Sequence, residues 1–168
     1  MHGAELLVDG FGRVRDSALA AVEDLTQDQL TFRVDPEANT IAWLVWHLAR
    51  VQDDHVAGVA GTEQVWTGDG WADRFGLPLD PAGIGYGHSS DEVAAVRAPA
   101  ELLAGYLSAV HERTVAYVGG LADGDLDGVV DDSYDPPVTL AVRLVSVLSD
   151  DLQHAGQAAL LRGVVERA

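Results

Sequence analysis

The sequence predicts an all-α protein: a bundle of four long helices with a long, glycine-rich connection between the second and third. Three observations carry that expectation. Four stretches return apolar residues at three- and four-residue steps, turn signals separate them, and no stretch calls for a strand. The chain has 168 residues, the size of one domain, and we read 1–168 as a single unit.

The first helix is expected over roughly Ala4 to Leu25, where Leu7, Phe11, Val14, Ala18, Ala21 and Leu25 share a face. Asp24 to Asn39 is polar and broken by Asp35-Pro36. The second helix is expected to start at Asn39, a good N-cap, and to end near Gly58 and Gly61. Gly61 to Ser90 holds six interior glycines and two prolines. It also holds Trp66, Trp71, Phe75, Tyr86 and His88, which argue for an ordered loop packed on the body. Ser89 and Glu92 have capping-box spacing, so a short helix begins there. The third long helix is expected from Pro99 to Leu121, closed by Gly119-Gly120. Asp123 to Asp135 reads as a solvated acidic connection, and the fourth helix as Thr139 to about Glu166.

Composition excludes several kinds of function. With no cysteine, the protein has no disulfide, no thiolate metal site and no cysteine nucleophile. A metal would have to sit on histidine, carboxylate and water. The formal net charge of −17 repels phosphates and anionic lipid, so neither nucleic acid nor a membrane is an expected partner. All ten basic residues are Arg, a composition that fits a GC-rich genome. No segment is apolar enough to span a membrane and the N-terminus does not read as a signal peptide, so the expected location is cytoplasmic.

One constellation carries chemistry. His47 sits in an apolar helical stretch, and Asp150 and His154 lie four residues apart on one face of the last helix. Facing helices can bring the three to one point, with positions left open for water or substrate. Imidazole and carboxylate suit zinc, nickel, iron or manganese. Asp151 and His154, three residues apart, form a competing pair, and only one of the adjacent aspartates can point fully into the core.

At these residues the chain resembles the DinB superfamily, and within it an actinobacterial branch of unknown function. The stretches that carry the resemblance are NTIAWLVWHLARVQDDHV, WADRFGLP, GYGHSSDEVAAVR, ELLAGYLSAVHERTVAYV and LSDDLQHAGQAALLRG, from about residue 39 to 163. The resemblance implies a four-helix bundle with one long crossover. It also implies a triad of one His from the second helix and a His-x-x-x-His pair from the fourth. His47 and His154 match, whereas Asp150 stands where the pattern has its middle histidine. Members of the superfamily include transferases and isomerases that use low-molecular-weight thiols such as mycothiol or bacillithiol, activated at the metal.

Other residues carry two readings each. Asp54, seven residues after His47, is either a surface carboxylate or an acceptor for an imidazole N–H. His88 is either a loop or capping histidine or part of a pocket wall. Trp43, Trp46 and Tyr86 are either packing residues or a substrate stack, and Gln157 can hydrogen-bond into the site. Arg50 is expected in a surface ion pair with Asp53 or Asp54, and His55 and His111 as polar residues at a helix end or between helices. The N-terminal His2 is expected to be disordered. The reading is a metal-dependent thiol S-transferase or isomerase taking a small-molecule substrate or thiol. The alternatives are a non-catalytic metal- or ligand-binding bundle and a bundle without metal. A homodimer is the expected assembly.

Overall fold

The structure, a computed structural model, describes residues 2–167. Four long helices form its body: α1 (Gly3–Val22), α3 (Ile41–Ala60), α7 (Ala100–Val118) and α8 (Leu140–Val165). Short helices fill the connections: α2 (Gln27–Leu30), α4 (Val65–Gly68), α5 (Trp71–Phe75) and α6 (Ser90–Ala95). Helix α8 packs against α1 and α3, and α7 closes the bundle against the same two helices. The all-α fold follows from the four apolar stripes read in the sequence.

The helix limits differ from the expected ones by one to three residues, for local reasons. Thr40, not Asn39, caps α3, because its hydroxyl accepts from the Trp43 amide at 3.0 Å. Gly61, at φ +66°, ends α3 in the left-handed conformation. Ser89 and Glu92 form the capping box that opens α6. Thr139 caps α8.

The acidic connection departs from expectation. A 3-10 turn over Asp123–Asp127 is followed by β1 (Val129–Asp131), which pairs antiparallel with β2 (Val138–Thr139). These strands have three and two residues, too short for a period-two pattern to show in the sequence.

Every residue of α3 from Ile41 to Asp53 is buried. Such a helix needs cover all round. Three helices cover its inner side, and the crossover from α3 to α7 covers the rest. Trp66 and Phe75 of the crossover pack with Trp46 and Tyr106 into the larger core cluster. Arg50 is fully buried, in place of the expected surface pair. It donates to Gln64 at 2.8 Å and to Tyr106 at 3.3 Å, and lies 3.7 Å from Asp53. Asp53 accepts from the Val65 and Trp66 amides and from the Tyr106 hydroxyl. Burial holds the Tyr106 phenol well above its ordinary pKa, so it donates that proton. This network fastens the crossover to α3.

His2 is ordered, beside Asp123 at 3.2 Å. His111 is buried, its Nδ1 without a hydrogen-bond partner. Among the described residues, no helix is long and apolar enough to cross a membrane.

Candidate metal centre

Helix α3 supplies His47 and α8 supplies Asp150 and His154. One ligand atom from each lies within 4.8 Å of the other two. His47 Nε2 is 3.9 Å from Asp150 Oδ2, and His154 Nε2 is 3.6 Å from the same oxygen. Nitrogen ligands about 2.1 Å from a tetrahedral ion stand about 3.4 Å apart, so a small inward movement would complete such a shell.

The outer sides of both rings are engaged. His47 Nδ1 donates to the Ile84 carbonyl at 2.5 Å, and His154 Nδ1 to Gln157 Oε1 at 3.1 Å. With the proton on Nδ1, each ring presents an Nε2 lone pair toward Asp150, the arrangement that orients metal-bound imidazoles. Asp150 Oδ2 is buried among these atoms with no hydrogen-bond partner. An orphaned carboxylate oxygen facing two imidazole lone pairs is unfavourable unless a cation sits between them. The residues therefore fit a divalent ion. Burial lowers the His47 pKa against the opposing pull of the Ile84 carbonyl, which favours the neutral ring a ligand requires.

Asp151, the other aspartate, is the one that points into the core. It is fully buried on the stripe Leu144, Val147, Asp151, Ala155, Ala158, and both carboxyl oxygens lack partners. Burial, with Asp150 beside it, pushes its carboxyl well above the ordinary range, toward the neutral acid. Asp150 sits one step round the helix, partly exposed, where it meets both histidines.

Aromatic rings wall the centre. Trp43 stacks on His47 at 4.5 Å between ring centres, and Tyr86 meets His47 edge-on at 5.2 Å. His88 accepts from the Trp43 indole at 3.2 Å and stacks on Trp46, one layer farther out. Asp54 stands apart: it accepts from Gln64 at 2.8 Å, and the acceptor for His47 is the Ile84 carbonyl.

Gly85 was not singled out by the sequence reading. It adopts φ +106°, and a Cβ there would collide with His47 Nδ1. The sequence signal was the Gly83-Ile84-Gly85-Tyr86-Gly87 run, whose glycines let the crossover backbone approach the imidazole.

The sequence profile of the DinB superfamily matches residues 11–158. No curated protein matches the chain in a sequence search. Among solved structures, the fold is similar to the crystal structure of a conserved protein from Enterococcus faecalis. The two are 28% identical, with a TM-score of 0.92 over 100% of this chain and 99% of that one. With the profile covering most of its length and the bundle reproduced throughout, the chain belongs to the DinB superfamily.

Proposed function

We propose that the protein is a metal-dependent enzyme of the thiol S-transferase or isomerase type. His47, Asp150 and His154 would hold a divalent ion, zinc or nickel before iron or manganese. The observation that carries the reading is the buried, unpartnered Asp150 Oδ2 facing two imidazoles whose outer nitrogens are already engaged. Bound there, the metal would supply Lewis acidity that lowers the pKa of a thiol or water.

The chain's own residues would do the remaining work. His47 and His154 would be held in place through Ile84 and Gln157. Asp150 contributes one negative charge, so a divalent ion keeps a net positive charge to stabilise a thiolate. Trp43, buried against His47, would restrict water on that side of the centre, while Tyr86, more than half exposed, leaves the other side open to a ligand. The protein has no cysteine, so the thiol must come from a small molecule. The superfamily reading offers low-molecular-weight thiols such as mycothiol or bacillithiol, and a GC-rich actinobacterial source would favour the first.

The test is metal content by mass spectrometry for the wild-type protein and a His47→Ala/His154→Ala variant. About one divalent ion per chain in the first and none in the second supports the centre. Metal-free wild-type protein after exposure to zinc and nickel would sink it. Metal-loaded protein is then assayed with mycothiol and an electrophile. Thiol consumption separates the enzyme from a bundle that binds metal without turnover.

A further inference from the structure

A cavity of about 270 Å³ adjoins the centre, bounded by Val51, His55, Tyr86, Arg143, Val147 and Asp150. Its polar groups are mostly donors. Arg143 gives one N–H to His55 Nδ1 and another to Asp131 Oδ2, each at 3.3 Å. A guanidinium has five N–H groups, so three remain. No Arg143 nitrogen is buried without a partner among the described residues, and its side chain is 25% exposed. Its Nε, which has neither a partner among the described residues nor a place among the buried unpaired atoms, therefore reaches accessible surface; Arg143 also borders a second cavity with Asp54, His55 and Gln64.

The Arg143 contact also fixes the His55 ring. A nitrogen that accepts from a guanidinium carries no proton, so His55 holds its proton on Nε2 and is a second donor. Burial lowers the His55 pKa, in keeping with a neutral ring. Burial and the nearby carboxylates raise the Tyr86 pKa, so its phenol keeps its proton. The Ser146 hydroxyl, also in the wall, is spent on the Val142 carbonyl at 2.8 Å. Asp150 is the acidic group in the wall, and its buried oxygen faces the histidines. Asp131 offsets part of the Arg143 charge from outside the cavity, and Asp54, 4.0 Å from His55 Nδ1, is tied to Gln64.

We propose that this cavity is an anion subsite of the metal centre: Arg143, with the His55 ring and the Tyr86 hydroxyl, recognises a carboxylate carried on the same molecule as the metal-binding atom. This rests on the metal reading and adds a substrate class to it: among small thiols it selects those that carry a carboxylate, which mycothiol, with its cysteinyl carboxyl held in an amide, does not. Arg143 and Asp150 are seven residues apart on α8, about 10 Å along the helix axis. The ligand is therefore a short chain with a metal-binding atom at one end and a carboxylate a few bonds away. The planar fork of Arg143 suits a carboxylate where an ammonium or hydroxyl would leave its charge unmet.

The experiment compares 3-mercaptopropionate with 3-mercaptopropan-1-ol, which share the sulfur and nearly the same size. Binding to zinc-loaded protein is followed by calorimetry and by the side-chain Nε–H resonance of Arg143 in nitrogen-15-labelled protein. The carboxylate should bind at least about tenfold more tightly and shift the Arg143 resonance, as expected for a charge-assisted hydrogen bond. Arg143→Gln should erase the preference for the carboxylate. Asp131→Asn, which removes the competing carboxylate and keeps the Arg143 charge, should tighten binding. Equal affinities for the two thiols, or a preference that survives Arg143→Gln, would overturn the subsite. If neither thiol responds to zinc, the metal reading fails separately. Propionate against 1-propanol on zinc-free protein then decides the subsite: an Arg143 shift with propionate alone keeps it, and no shift ends it.

Discussion

At the scale of single residues, the centre depends on atoms a sequence shows unequally. The convergence of His47, Asp150 and His154 on one point is legible because helical spacing puts side chains on a face. The Ile84 carbonyl was not legible, since every residue has one and only the folded crossover selects it. Gly85 makes that selection possible. Gly85→Ala should press a methyl group into His47 and weaken metal affinity about 10–100-fold, as disturbed ligand orientation does. A competition titration with a chelator measures it, and unchanged affinity would remove Gly85 from the account. Asp151 is the opposite case. Its pairing distance from His154 suggested a ligand, yet the fold buries it with both oxygens unpartnered. Asp151→Asn keeps the shape and removes the ionisable group, and should stabilise the native state by about 1–3 kcal/mol at neutral pH. Denaturant unfolding checks this, and a less stable variant would mean that Asp151 has a partner in solution.

At the scale of elements, the four long helices were readable because each buries a stripe at helical period. The small hairpin of β1 and β2 was not, being shorter than any pattern that marks a strand. The aromatic content of the crossover marks it as ordered, but nothing in the sequence marks its anchor. Arg50 and Asp53 look like a surface pair because charges on a helix usually face water. Here the crossover closes over them. Asp53 is the fastening, with two backbone amides, a phenol and a guanidinium around one carboxylate. Asp53→Ala would leave Arg50 buried without a counter-charge and should destabilise the protein by about 3–5 kcal/mol. Hydrogen exchange should show the loss first in residues 61–88, ahead of α1 and α8. Uniform loss of protection across all four helices would show that the crossover does not open as a separate unit.

At the scale of the whole molecule, acid tests the balance of buried groups. His111 is buried between helices, and desolvation first, then Arg15, lowers its pKa from 6.5. About one pH unit above 6.5 and beyond, the ring is neutral in both folded and unfolded chains and contributes no pH dependence. Below 6.5 the unfolded chain takes up a proton that the native ring resists. Stability should therefore fall as pH drops from 6.5 toward the lowered native value. Melting temperatures between pH 5 and 7.5 should show a shallower decline for His111→Leu than for the wild type, and parallel curves would remove His111 as a cause. The spread of the centre along the chain has a consequence of another kind. Its acceptor at Ile84 and its candidate ligands at Asp150 and His154 lie far downstream of His47, so no continuous fragment short of α8 contains the full set. On a ribosome, the metal could be captured only after the last helix had emerged and docked. An ion bound at this site would then act as a late checkpoint, stabilising finished molecules and leaving nascent ones untouched.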